Sequence, residues 1–529
     1  MSTAESRVAI GFGPAGLAAA LLVVALAYSN ALGGGFVWDD HHLIEDAASV
    51  QELRAPWDYF AVRFWDQPEQ RSADSFYRPL VTLSYALDQR VWGGHPFGFH
   101  LTNLLLHLGC VALVWALAIR SGAPPLAAGL AAALFGTLPR LTESVGWISG
   151  RTDVMACLFA LAALLTHRTT PDARARRAGA ALLILCGLFA KEVAAAGVFA
   201  LIALELADAR SDWPRRAKQL TPLGLAVLVY AGARIYALPP QGGAGVFAPW
   251  ERGVFALEAL GTYTAMLLDP LRPRLRIGLL GVVEVWRVVL GALALAGIVA
   301  AMMRARAERR VWLVLAATAL LPVLHLAPIP VTVLAADRFL YLPAAAFAVL
   351  LASAARQLPA RASGVAFASA ALGVAIFSVA LFERSNVWLD EVLLLERAAE
   401  HAPRGDGGPH ASLGTAHLRA GRVERALGHF RESHRIEREF AAAHPRFKVS
   451  SGVLGSIAIC EARLGRYAGA ASTFEDLVKL EPEVPLHRYN LAVAYVKASR
   501  RDDAKRALER VLAIYPAYPQ ARRLYEQLQ

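Results

Sequence analysis

Apolar runs of bilayer-crossing length fill the first 381 residues, and no other feature of the chain constrains it so tightly. They fall near 8–32, 99–119, 124–139, 153–167, 178–190, 193–207, 220–238, 286–303, 312–328, 338–353 and 362–381. A helix needs about 20 mainly apolar residues to cross the hydrocarbon core, and in lipid every backbone polar group must be satisfied within the segment or a closed barrel. The runs therefore predict an all-α, polytopic membrane bundle of about 11 spans. Composition agrees: 56% of the 529 residues are hydrophobic and 18% charged, too little polar surface to cover a soluble protein of this size. The first run, about Val8 to Leu32, exceeds a signal-peptide core and reads as an uncleaved span.

The formal charge of +11 does not imply nucleic acid, because the basic excess lies in short clusters between apolar runs. Cytoplasmic loops collect such clusters. Placing Arg168–Arg177, Arg210–Lys218, Arg304–Arg310 and Arg356–Arg361 on the cytoplasmic side sends the N-terminus in and the C-terminus out. Segment 253–270 breaks this alternation if it crosses, so it reads as a helix lying at the outer interface. The four cysteines, Cys110, Cys157, Cys186 and Cys460, offer neither a disulfide framework nor a metal-ligand spacing.

Past residue 385 the pattern becomes soluble and helical. "LGTAHLRAGRVERALGHF" (413–430), "IAICEARLGRYAGAASTF" (457–474) and "LAVAYVKASRRDDAKRAL" (491–508) share a register, with small residues at Ala426, Ala470 and Ala504. The last two are 34 apart, and Pro482 and Pro516 repeat that interval, whereas the first two are 44 apart. A 34-residue helix–turn–helix period resembles tetratricopeptide repeats. Two domains are expected, 1–385 in the membrane with a first outer loop at 33–98, and 386–529 as an α-solenoid.

The alternation brings polar clusters from across the chain to one outer face. Asp39 and Asp40 follow the first span directly, in "GGGFVWDDHH" (33–42). They read either as a solvated acidic pair or as a general base near a low-dielectric surface, where a carboxylate can be tuned to take a proton from a hydroxyl. His41 and His42 beside them could join a metal site, yet neighbouring side chains diverge and no second ligand cluster has the right spacing. Arg78 precedes Pro79 and reads as a phosphate ligand, an acid's brace or a snorkelling cation. His100, Asn103 and His107 share one helical face; inside a span such groups need a cavity or a partner, and an interhelical hydrogen bond suits His107. Glu143, Arg151 and Asp153 crowd one loop, where Thr152 or Asp153 could cap the next helix. Lys191 and Glu192 form a charge pair between apolar runs, and Asp337 precedes Arg338, whose guanidinium suits bidentate phosphate binding.

"FVWDD", "YRPL", "HLTNLLLH", "ESVGWISGRTD", "KE", "DRFLYLP" and "SNVWLDEVLL" occur in this order before the repeats. That series resembles the transmembrane-and-tetratricopeptide O-mannosyltransferases of animals and their bacterial relatives, within the GT-C class of membrane glycosyltransferases. The resemblance implies a polyprenyl-phosphate-linked sugar donor and inverting transfer to an acceptor hydroxyl on the periplasmic side. It implies Asp39 as base with Asp40 beside it, and Arg338, Arg151 and Lys191 holding the donor phosphate. Arg78, His100, Glu143, Asp153, Glu192 and Asp337 would line the pocket. A divalent cation is left open, and the acceptor, protein or glycan, would be gathered by the repeats. The relatives usually read "LHPLHVESVAW" where this chain has "GTLPRLTESVGW", so that Arg140 and Thr142 stand in a stretch where His and Val would be expected. Two other readings stand beside the enzyme: a non-catalytic membrane scaffold for envelope assembly, and an O-antigen ligase or polymerase. The expected location is the bacterial inner membrane with the repeats outside the cytoplasm.

Overall fold

The computed structural model of the protein describes all residues except 1–2, 62, 65–75, 207–212, 239–247, 273–276, 279–282, 327–332 and 445–446; the side chains of 3–13, 213–217 and 360 are likewise left aside. Helices dominate, and the strands among the described residues are two short pieces, Ile277–Gly278 and Val333–Ala335. The chain divides into two compact units, the first formed by Met1–Ile277 with Val283–Asp390 and the second essentially by Glu391–Gln529.

Every expected span coincides with a helix of the first unit. Six are long and apolar enough to cross a membrane: Pro96–Arg120, Ile148–Thr169, Lys218–Ala237, Val285–Arg304, Asp337–Gln357 and Arg361–Trp388. The protein is therefore an integral membrane protein. Pro14–Ala27 and Pro125–Thr137 are apolar but shorter, and expected spans such as Ala195–Leu206 and Ala307–Leu320 are helices that fall short of that length.

The first helix ends at Ala27, before the expected boundary at 32, and a 3-10 turn over Ser29–Gly33 follows. The Asn30 amide explains the early stop. It donates to the Phe382 carbonyl at 2.7 Å and to Asn386 Oδ1 at 2.8 Å, fixing the exit of this helix against the end of the last one.

Close helix approach depends on glycine in two places. An added Cβ at Gly136 would lie 2.3 Å from Val24 Cγ2, so the Pro125–Thr137 helix can nest between its neighbours only without a side chain there. Segment 253–270, expected at the outer interface, forms the helix Pro249–Leu268. Its Leu257 meets Gly291 and its Gly261 meets Arg287, so it runs antiparallel to Val285–Arg304; a Cβ on Gly261 would sit 1.8 Å from the Arg287 carbonyl oxygen. Small residues that let backbones touch are the usual means of joining helices in lipid, where no hydrophobic force separates a helix from its solvent.

The described part of the segment after the first helix folds as a cap. It holds a π-helical turn, His41–Glu45, short helical turns at Ala48–Gln51 and Pro56–Ala61, and a full helix over Pro79–Trp92. Pro79 begins that helix, where its missing N–H costs nothing, and Gly93 ends it at φ +61°, the left-handed conformation that glycine adopts without strain.

In the second unit the helix pairs are Gly408–Arg419 with Val423–Ala443, Ser451–Arg463 with Tyr467–Leu480, and Pro485–Lys497 with Arg501–Ile514, flanked by Glu391–Glu400 and Pro519–Leu528. Ala426, Ala470 and Ala504 are all fully buried at the helix contacts. The same register places the turn of each pair at Gly421, Gly465 and Ser499, with φ +72°, +74° and +62°. The geometry requires a left-handed residue at all three. The third pair supplies a serine, whose Cβ makes that conformation costly by about 1–2 kcal/mol. Replacing Ser499 with glycine should therefore slow amide exchange in the Pro485–Lys497 and Arg501–Ile514 helices about fivefold, for a gain of about 1 kcal/mol. Faster or unchanged exchange there would show that the turn carries no strain.

Candidate functional site

The exit of the first helix turns at Trp38, whose φ of +55° is rare for a bulky side chain. Its ring stacks on Trp147 at 5.1 Å between centroids, and Trp147 stacks in turn on Trp388 at 6.3 Å. Beyond the turn the two acids part company. Asp40 is fully buried: Oδ1 accepts from the Ser149 amide (2.9 Å) and hydroxyl (2.5 Å), and Oδ2 accepts from the Val37 amide (3.1 Å). Burial lifts its pKa to about 7 against those hydrogen bonds, which favour the anion, and neighbouring Asp39 adds to the rise. Asp39 is only half-buried and lies within electrostatic reach of Arg338. The structure thus gives Asp40 a different place from the one expected. It fastens the first outer segment to the Ile148–Gly150 turn, and its oxygens are committed to that task.

Among the described residues, five ion pairs between distant parts of the chain surround this corner. Glu143 is buried and pairs through Oε1 with the Arg338 guanidinium, while its Oε2 accepts from the Arg338 amide at 2.8 Å. Burial raises the Glu143 pKa and the Arg338 charge opposes the rise. Asp337, the neighbour of Arg338, pairs with Arg140, whose other nitrogen donates to the Asp269 and Arg272 carbonyls. Lys191 Nζ lies 2.6 Å and 2.7 Å from the two Asp153 oxygens. Glu192 accepts from Arg234 at 2.9 Å and lies 4.0 Å from Arg78.

Three cations converge here and keep a little exposure: 13% for the Arg78 side chain, 11% for Lys191 and 16% for Arg338. Lys191 is held down to about 8 by burial above all, against the attraction of its Asp153 partner, and the repulsion of Arg78 and Arg338 adds to the fall. Aromatic rings line the cluster: Phe339 lies under both Lys191 and Arg338, Trp147 under Arg338, and Phe64 and Phe76 under Arg78. Arg78 is the least satisfied of the three. Its Nε is buried without a partner among the described residues, and its one acid is at the edge of ion-pair range. A patch of this kind can take an anion with two or three oxygens.

Residues 462–528 match the family model described as Tetratricopeptide repeat. The chain is similar to curated O-mannosyl-transferases. Protein O-mannosyl-transferase Tmtc2 of Drosophila melanogaster is 38% identical over 192 residues, covering 34% of this chain and 20% of the relative. Protein O-mannosyl-transferase Tmtc1 of the same organism is 35% identical over 158 residues (29% and 18%), and human Protein O-mannosyl-transferase TMTC1 is 36% identical over 178 residues (32% and 20%). The chain spans about a fifth of the length of these relatives.

Not every expected site residue reaches the cationic cluster. Arg78, Lys191, Arg338, Glu143, Asp153 and Glu192 meet there. Arg151, expected to hold the donor phosphate, does not: it is fully buried, and its guanidinium is consumed by Asp88 (2.5 Å), Asn103 Oδ1 (2.6 Å), the Phe99 carbonyl (2.9 Å) and Ser84 (3.1 Å). Asp337 is likewise enclosed by its pair with Arg140, and His100 is buried with Nε2 3.4 Å from the Gly35 carbonyl. His107 bonds to Tyr341 and to the Gly136 carbonyl between helices. No side chain caps the Arg151–Thr169 helix; Asp153 turns to Lys191 instead. Ser149, Asp88 and Arg234 were not singled out, because serine, aspartate and arginine at such positions carry no pattern until their partners are known. Among the described residues no group of three or more His, Cys, Asp or Glu side chains is placed to hold a metal ion.

The buried Asp40 makes a pH prediction. Its folded pKa lies above the unfolded value of 3.8, so the folded state binds the extra proton between about pH 4 and 7 and loses stability from this group as pH rises through that window. Replacing Asp40 with asparagine leaves the Val37 amide facing a donor, at a cost of about 1–3 kcal/mol, and removes the titration. The stability gap between wild type and D40N, measured by thermal unfolding in detergent, should be widest near pH 4 and shrink toward pH 7. A gap that widens with pH would contradict the buried, proton-binding carboxyl.

Proposed function

We propose that the protein is a membrane glycosyltransferase of O-mannosyltransferase type, moving a sugar from a polyprenyl-phosphate donor to an acceptor hydroxyl on the periplasmic side. The observation that carries this reading is the convergence of Arg78, Lys191 and Arg338 at the corner that also holds Asp39. The similarity to the Tmtc proteins, whose names state the activity, supports it.

The donor's phosphodiester carries one negative charge. In an inverting transfer the acceptor oxygen attacks the anomeric carbon as the bond from that carbon to the phosphate oxygen breaks. Asp39 takes the hydroxyl proton, and the polyprenyl phosphate leaves as a monoester carrying one more negative charge. Three cations fixed by their own acid partners meet that growing charge without having to reorganise, which is the most effective form of electrostatic stabilisation. Arg78, with donors to spare, is the first to bind it, and Glu143, Asp153 and Glu192 keep the cations in place. Asp40 positions Asp39 and takes no proton from substrate. The repeats of the second unit offer the acceptor, a protein, a docking surface, as tetratricopeptide scaffolds do.

The test uses membrane vesicles containing the full chain, radiolabelled polyprenyl-phosphate mannose and envelope acceptors. Asp39→Asn should lower the transfer rate by about 10²–10⁴-fold, the usual worth of a general base, with the protein still folded. Arg78→Gln should lower kcat/KM for the donor about 10- to 100-fold, as expected for one charge-assisted contact of about 1.5–3 kcal/mol. Wild-type transfer by the Asp39→Asn protein would remove that residue from the mechanism. Transfer from a pyrophosphate-linked oligosaccharide instead would point to a ligase or polymerase.

A further inference from the structure

Helices that carry or pack around the candidate site end, at their far side, around a cationic hollow. Pro96–Arg120 holds His100 and Asn103 near its start and Arg120 at its end, 20 and 17 residues further on and so about 25–30 Å away at 1.5 Å per residue. Ile148–Thr169 carries Arg168 near its far end, and Asp337–Gln357 carries Arg356. There an open hollow is lined by Ser121, Arg306, Glu308, Arg309, Trp312 and Arg356 together with Ser353 and Gln357.

Its charge is unbalanced, with three arginines against one glutamate. Among the described residues the guanidinium groups of Arg306, Arg309 and Arg356 make no hydrogen bond or ion pair, in contrast to the paired cations of the candidate site. Trp312 is 1% exposed and its indole N–H has no acceptor among the described residues. Behind it Arg168 lies over the ring at 5.5 Å and reaches Ser121 at 3.5 Å. Nothing in the proposed transfer uses these groups.

The geometry points to a binding site for the phosphate of an anionic phospholipid headgroup, on the membrane face opposite the candidate site. The position favours a lipid over a free anion. Val285–Arg304 and Pro96–Arg120 both end within two residues of the hollow, so it lies at the level where crossing helices leave the hydrocarbon. Met303 (78% exposed) on Val285–Arg304 and Leu351 (65%) on Asp337–Gln357 sit a few residues inward, where acyl chains would run. Basic pockets between helix ends on one membrane face are a recurrent lipid-headgroup chemistry, and a free guanidinium fork suits a phosphodiester.

The experiment is native mass spectrometry of the purified full chain, given equal amounts of phosphatidylglycerol and phosphatidylcholine. Wild type should retain one phosphatidylglycerol in about tenfold preference, in line with the excess of basic groups. Arg309→Gln combined with Arg356→Gln should abolish that preference. Arg174→Gln, which removes an exposed charge from another basic connection, should keep it. No preference in wild type overturns the proposal whether or not the double variant folds. So does a preference that survives the double variant, or one lost equally in Arg174→Gln. Displacement of phosphatidylglycerol by millimolar inorganic phosphate would assign the hollow to free anions and overturn the lipid reading.

Discussion

One guanidinium sets the position of everything on the site's side of the membrane domain. Arg151 opens its helix fully buried, ties Asp88 and Ser84 of the Pro79–Trp92 helix to Asn103 and Phe99 of Pro96–Arg120, and lies over the Tyr85 ring at 4.8 Å. A buried charge is tolerable only when its partners are all in place, and removing one costs about 3–5 kcal/mol. The cap helix is therefore locked in position and register by polar contacts as well as by packing. Since Arg78 stands at the start of that helix, the placement of the least satisfied cation follows from a residue that lies outside the cationic cluster.

The same logic recurs in the crossed pairs between segments 139–143 and 337–338. Arg140 meets Asp337 while Glu143 meets Arg338. The two segments present opposite charge orders, so a slip in their register would set like charges against each other in a low-dielectric setting, which costs far more than it would in water. Arg140, which departs from the usual pattern of the relatives, also grips the carbonyls of Asp269 and Arg272, and so draws the end of the Pro249–Leu268 helix into the same network.

Much of this was legible in the chain because a membrane leaves few options. The apolar runs and the 34-residue period had only one economical solution each, and helices stand where both expected them. Charges in or near spans had to find partners, and most of those singled out did meet. The sequence could not say which partner each would take. Arg151 and Arg338 look alike in a linear reading, each within two residues of an aspartate in a short connection, yet Asp88, sixty-three residues upstream of Arg151, takes up the first guanidinium in the interior. Asp40 was misplaced for a similar reason: the Ser149 amide and hydroxyl that absorb it belong to a turn whose approach depends on helix packing.

The paired aspartates show how adjacent identical groups acquire different fates. In an extended strand their side chains would point to opposite faces, but here the left-handed Trp38 just before them turns the chain sharply, and the π-helical turn from His41 sends it back. Holding a tryptophan at positive φ costs on the order of 1–3 kcal/mol. Its stacking on Trp147 returns about 0.5–1.5 kcal/mol, and the three hydrogen bonds to Asp40 act on the same turn from the other side. Strain at the first residue and burial at the third thus hold the middle one, Asp39, half-exposed beside Arg338. A conformation that costs energy locally is kept because the two residues flanking Asp39 are both anchored to the Trp147–Ser149 turn, and that double anchorage leaves the middle carboxylate little room to move.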